Sequence, residues 1–176
     1  MVINSTTFLP INDQKTTYWT GKTGTDNWAM VDDATPDDDK TYVWTSGASA
    51  LDVYGKTATA FTNQNIQIEK IEMVVRARRS ALHTYNVMIK LSTDAGNGIP
   101  QFPVELTYGT YTATYPWADS SNRTPWTKSN IDLGNIHISC NGSNNSVGGI
   151  RATQCYMTVY WQYAIVPGYG RVTWTP

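Results

Sequence analysis

The sequence predicts an all-β chain, a two-sheet antiparallel β-sandwich of jelly-roll type with at most one short helical turn. Three features carry this. The composition favours sheet, with 11 Tyr, 7 Trp and only 15% charged residues. Turn-forming residues recur at short intervals. Between them, apolar and polar side chains alternate with period two.

The clearest strand holds Ile71, Met73, Val75 and Ala77 on one face and Glu72, Arg76 and Arg78 on the other. Tyr85, Val87, Ile89 and Leu91 share the inner face of the next, and the two are expected to lie side by side. Further strands are expected over Thr16–Thr20, Thr41–Ser46, Leu51–Tyr54, Phe102–Thr107, Tyr111–Tyr115, Asn135–Cys140 and Gln154–Tyr163. The one helical turn falls at Pro125–Leu133, where Thr124 can cap, Pro125 suits the first position and Gly134 can end it.

No repeat or linker divides the chain, so one sandwich is expected over residues 15–165. Residues 1–14 and 166–176 carry Pro10, Pro167, Gly168 and Gly170, lack clean alternation and read as arms. Tyr169, Val172 and Trp174 then become interface residues that a partner covers. Alternatively Arg171–Thr175 folds back as an extra edge strand.

Lys and Arg together number 13 against 14 Asp and Glu, which argues against a nucleic acid partner. No window approaches membrane-span length, and Met1–Pro10 lacks the basic start and apolar run of an export signal. The parity of Cys140 with Ile136 and Ile138, and of Cys155 with Met157 and Val159, turns both thiols inward. They are either buried free cysteines or a disulfide across neighbouring strands.

Catalytic chemistry finds little support. His83 and His137 lie on separate strands without a motif, and no nucleophile elbow, H-E-x-x-H or C-x-x-C occurs. The expectation is a non-enzyme without a cofactor, calcium excepted. The segment Val31–Val43 gathers Asp32, Asp33, Asp37, Asp38 and Asp39 around Pro36. Its carboxylates either make Asx turns or, through Asp37, Asp38 and Asp39, hold calcium. Arg76, Arg78 and Arg79 form either a solvated sheet face or, through Arg76 and Arg78, an interface. Tyr108, Tyr111, Tyr115, Trp117 and Trp126 offer stacking platforms for sugar rings, or core.

Four segments follow one another in order: Thr35-Pro-Asp-Asp-Asp-Lys-Thr-Tyr-Val43, Ile71-Glu-Met-Val-Val-Arg-Ala-Arg-Arg79, Thr124-Pro-Trp-Thr-Lys-Ser-Asn-Ile131 and Arg151-Ala-Thr-Gln-Cys-Tyr-Met-Thr-Val159. Together they resemble the jelly-roll domains of structural proteins of tailed phages and related viruses. Such domains carry an acidic T-P-D-D-D-x-T-Y loop, a strand ending A-R-A-R, a P-W-T segment and a closing R-V-T-Q-x-Y-V-like strand. The resemblance implies a virion part, a capsid decoration or tail or fibre protein. Such a part forms homo-oligomers, contacts capsid or tail proteins, is assembled in the host cytoplasm and has no catalytic residues. Cys155, where the pattern has Val, departs from it. The second reading is a carbohydrate-binding module that uses surface aromatics.

Overall fold

The structure is a computed structural model that describes residues 2–17, 19–23, 26–46, 50–57, 65–80, 84–91, 100–116, 124–142 and 149–164. The strands are β1 (Asn4–Phe8), β2 (Pro10–Thr17), β3 (Thr20–Gly21), β4 (Val43–Thr45), β5 (Leu51–Lys56) and β6 (Ile66–Arg79). They continue with β7 (Tyr85–Leu91), β8 (Gln101–Pro103), β9 (Gly109–Pro116), β10 (Ile136–Gly142) and β11 (Ile150–Tyr163). One sheet runs β3-β4-β11-β6-β9, with β1 also on β11; the other runs β2-β5-β10-β7-β8.

That order makes the protein a jelly roll. The quartets β4-β11-β6-β9 and β5-β10-β7-β8 are the two facing sheets of a double Greek key, in which β4 and β5, β6 and β7, and β10 and β11 each cross between sheets. β6 and β7 are therefore not neighbours, as the sequence suggested, but face each other across the core. Each presents a row of apolar side chains, and such a row is buried by an opposing sheet, not by the strand beside it.

The core meets between the sheets. Ile71, Met73, Val75 and Ala77 of β6, with Met157 and Val159 of β11, are fully buried, as are Val87, Ile89 and Leu91 of β7 and Ile136 and Ile138 of β10. Cys140 and Cys155 are both buried and unpaired, and they belong to opposite sheets. Burial pushes the Cys140 thiol up to about 12 and raises Cys155 well above its ordinary value.

The N-terminal stretch expected to be an arm supplies two strands. β1 pairs with β11 from Asn4↔Trp161 to Phe8↔Met157, and β2 borders β5 with two irregularities in register. Phe8 and Pro10 are buried, and this burial draws the chain in despite the proline. The C-terminal stretch, with Tyr169, Val172 and Trp174, lies outside the described residues. The helix is shorter than expected: α1 spans Lys128–Leu133, and Thr127, not Thr124, caps it, in a capping box with Asn130. The delay has a cause in Trp126, which is buried edge-on to Tyr115 with its Nε1–H donating to the Pro116 carbonyl at 2.7 Å, so residues 125–126 stay out of the helix. β8 is likewise only Gln101–Pro103, after which Val104 is buried and Glu105 turns back to accept from the Arg79 amide.

Two ionisable side chains among the buried polar ones, Asp52 and Lys56, stand out. Asp52 of β5 is fully buried and accepts from Thr16 Oγ1 at 2.9 Å, Asn27 Nδ2 at 2.8 Å and the Tyr54 hydroxyl at 2.8 Å. Asn27 also donates from Nδ2 to the Trp19 carbonyl, so one carboxylate ties β2, β5 and the 3-10 turn Trp28–Met30 together. Lys56 is buried with its Nζ unbonded among the described residues, 5.2 Å from the centroid of the Phe8 ring.

Both arrangements generate predictions. Burial raises the Asp52 pKa to about 6 against the pull of its three donors. Folding then favours the neutral acid, so its contribution to stability is present at low pH and lost as pH rises through about 6. His137, half-buried on the outer face of β10, is lowered to about 4 by burial and then by Lys90 and Lys15. Its contribution runs the other way and is lost as pH falls from the ordinary imidazole range towards 4. Between about pH 4.5 and 6.5 the two slopes oppose, so relative to wild type the melting temperature of Asp52→Asn rises with pH and that of His137→Gln falls. Parallel profiles for the three proteins would contradict this. Separately, Lys56→Met removes a buried, unbonded amine, and chemical denaturation is expected to show a gain of about 1 kcal/mol; a loss would mean the amine has a partner.

Candidate functional site

On the outer face of the first sheet, strand alternation leaves Trp44 and Arg151 no inward option, because Val43 and Thr45 flank one and Ile150 and Ala152 the other, all buried. Register then lines up a row across four strands: Thr20 opposite Trp44, Trp44 opposite Arg151, and Arg151 opposite Arg78. Side chains so paired stand about 5 Å apart at Cβ.

The acidic segment closes over one end of this row. β11 pairs with β4 through residues 150–152 and with β1 through 157–161, and the segment fills the gap between. The Cys155 amide donates to the Val31 carbonyl at 2.9 Å, Gln154 Nε2 to Asp33 at 2.6 Å, and Thr153 Oγ1 to the Thr41 carbonyl at 2.9 Å. A register shift between Ala152 and Gln154 marks the spot: the extra residue, Thr153, turns towards the loop.

From that seat the loop grips β6. Asp38 holds Arg76 by two bonds, from Nε at 2.7 Å and Nη2 at 2.9 Å, with its own backbone in the left-handed region at φ 55°. Asp39 accepts from Arg78 Nη2 at 2.9 Å, Arg151 Nη1 at 2.9 Å and the Tyr108 hydroxyl at 3.1 Å. The bond from Arg76 holds Asp38 below the usual carboxylate range, and that from Arg78 does the same for Asp39. Asp37 makes the expected local bonds, accepting from the Thr41 amide and hydroxyl.

These contacts bear on each residue singled out above. The Asp38 and Asp39 oxygens, offered as calcium ligands in the second of the two readings, meet guanidinium groups, and no three His, Cys, Asp or Glu side chains among the described residues are placed to hold a metal. Arg76 and Arg78 do lie on an exposed sheet face, but paired with those carboxylates. Of the proposed aromatic platform, Tyr115 and Trp126 are core, and Tyr111 packs against Phe102 while its oxygen accepts from the Glu105 amide. Tyr108 has Arg76 and Arg78 at 5.5 and 5.1 Å from its ring centroid. Trp117 and His83 lie outside the described residues.

Trp44 is the aromatic that this row turns to solvent, 43% accessible. It lines an open groove of about 410 Å³ with Tyr42, Ser46, Ser80, Gly149 and Arg151, within the roughly 300–1,000 Å³ of ligand pockets. Arg151 lies 4.6 Å over the Tyr42 ring. The groove wall needs a glycine: a Cβ on Gly149 would sit 1.8 Å from the Thr45 carbonyl oxygen. Ser80 fastens the same residue, its amide donating to the Gly149 carbonyl at 2.8 Å and its hydroxyl accepting from the Gly149 amide at 2.9 Å. Sequence reading missed this site, although the alternation of Val43-Trp44-Thr45 already turned the indole outward.

No protein-family model matches this chain, and no curated protein matches it in sequence. Among solved structures it is similar to the C-terminal CBM6 of LamC, a laminarinase of Zobellia galactanivorans, at 9% identity and TM-score 0.49, covering 89% of this chain and 98% of that one. It is also similar to a family 35 carbohydrate binding module of Clostridium thermocellum, at 11% identity and TM-score 0.46, over 89% and 97% of the two chains. A third is the Stig cyclase Fisc of Fischerella sp. TAU, at 12% and 0.43, over 92% and 100%. At these values the likeness says nothing of what this chain binds or does.

The loop's grip is measurable. A double-mutant cycle on Asp38→Asn and Arg76→Met is expected to return a coupling of about 0.5–1 kcal/mol, discounted for its partial exposure and shrinking in high salt. Zero coupling at low salt would mean that the pair does not fasten the loop.

Proposed function

We propose that this chain is a non-catalytic recognition protein that holds a carbohydrate in the Trp44 groove. The observation that carries the reading is the exposed indole of Trp44 on β4, beside Tyr42 and Arg151 in a groove that Ser46 and Ser80 also line. A sugar ring presents C–H groups to an aromatic face and hydroxyls to polar neighbours around it, and this groove offers both. Trp44 costs the fold solvation where it stands, since a large apolar face remains wet. A ligand that covers it returns that energy.

A second reading, a virion structural protein of the capsid decoration or tail or fibre type, has its own support. Three of the four segments behind the resemblance to phage jelly rolls converge here: the acidic loop, the Arg-rich end of β6 and the start of β11. In addition Val2, Ile3 and Ile11 are 76%, 55% and 42% exposed, apolar surface of the sort that neighbouring copies or capsid proteins would cover. On this reading the protein assembles in the host cytoplasm and works through protein contacts.

Affinity electrophoresis through a panel of neutral and acidic polysaccharides tests the first reading. Retardation by at least one polymer is expected, weakened at least about tenfold (~1.4 kcal/mol) in Trp44→Ala at unchanged melting temperature. A native mass spectrum showing a trimer or larger ring, together with no retardation anywhere, would favour the virion reading instead.

A further inference from the structure

We propose that the groove selects a sugar ring bearing a carboxylate, such as a hexuronate unit of an acidic polysaccharide. Arg151 binds the anion and Asp39 positions Arg151. The inference rests on the carbohydrate reading and adds the ligand's charge to it.

The groove is lopsided in charge. Among the described residues that line it Arg151 is the charged one, and none is a carboxylate. Arg151 is held from two sides, with Asp39 on Nη1 at 2.9 Å and the Tyr42 ring 4.6 Å from the guanidinium carbon. A guanidinium carries five N–H donors in a planar fork, so a bond to Nη1 leaves donors for a planar carboxylate. Because the fork is already oriented, little rotamer entropy remains to be lost when a ligand arrives.

Asp39 does not cancel this charge. It serves Arg78 and Arg151 together, and Lys22, whose ammonium donates to the Asp39 backbone carbonyl, adds a further cation 5.3 Å from the other aromatic wall, Tyr42. Arg76 is matched separately by Asp38, and Arg79 by Glu105 at 3.6 Å. Asp39 is thus shared among three cations, and the neighbouring loop carboxylates Asp33 and Asp37 are turned to Thr41, so the charge that the groove itself presents is Arg151. A neutral sugar would use the Trp44 face and leave that charge unanswered, whereas a hexuronate stacked on Trp44 can turn its carboxylate to Arg151, the register partner of Trp44.

The experiment titrates the full chain with polygalacturonate, alginate and hyaluronate, each beside its carboxyl-reduced counterpart, and with dextran sulfate. At least one acidic polymer is expected to bind tenfold or more tightly than its reduced form. Arg151→Met should remove that preference and Arg151→Lys restore part of it. Asp39→Asn should weaken the acidic polymer several-fold more than the reduced one, a difference that mere loss of structure would not produce; circular dichroism of each variant checks the fold. Equal, Trp44-dependent binding of acidic and reduced forms overturns the charge inference and leaves the carbohydrate reading standing. Tighter binding of dextran sulfate than of any uronate overturns the choice of carboxylate. No binding to any polymer overturns both.

Discussion

The antiparallel pairing of β6 with β11 is the constraint on which the rest of the protein depends. Each strand is 14 residues long, and they run together from Ile150↔Arg79 to Tyr163↔Ile66. Their inner faces supply Ile71, Met73, Val75, Met157 and Val159 to the core, and their outer faces supply Arg76, Arg78 and Arg151 to the site. One ladder therefore fixes both the apolar filling and the spacing of the cations. Its two register shifts do local work, since without the one at Thr153 the alternation from Ala152 would turn Gln154 inward and Cys155 outward.

The site follows from how the free edge of β11 is covered. β4 and β1 take its two ends, and the stretch between them would leave backbone and side-chain groups unbonded without the acidic loop. Once seated there, the loop carries Asp38 and Asp39 over the arginine row, and each carboxylate meets the cations that strand register has already placed. The same seating brings Tyr42 beneath Arg151, so the groove wall and the loop are parts of one arrangement. Exposed ion pairs contribute little each, but a carboxylate shared by two arginines and a tyrosine orders several side chains at once.

Much of this was legible in the sequence, and the misses have identifiable causes. Period-two alternation located β5, β6, β7, β9, β10 and β11, because one wet and one dry face leave a pattern in any chain. It could not say which strands pair, and so set β6 beside β7, since alternation records burial and not the neighbour. The prolines and glycines of the N-terminal segment read as an arm, whereas Phe8 and Pro10 are buried there and Asn4–Phe8 lies against β11. The Asp cluster was visible but its partners were not, because Arg76 lies 38 residues from Asp38 and Arg151 lies 112 from Asp39. Of the aromatic residues clustered in sequence Tyr115 and Trp126 are core, and the exposed Trp44 stood alone between two buried residues, where composition gives no signal.

On the proposed function, the Trp44–Arg151 row is the face that meets a ligand. The most direct measurement is a nitrogen–proton NMR titration of the full chain with oligosaccharides of the polymer it binds best. The Trp44 indole and Arg151 Nε–H signals should shift first and furthest, with smaller changes along Ser80 and Gly149 and none on the outer face of β10. Shifts centred instead on Tyr156 and Tyr160, or on His137, with the Trp44 indole unmoved, would contradict it.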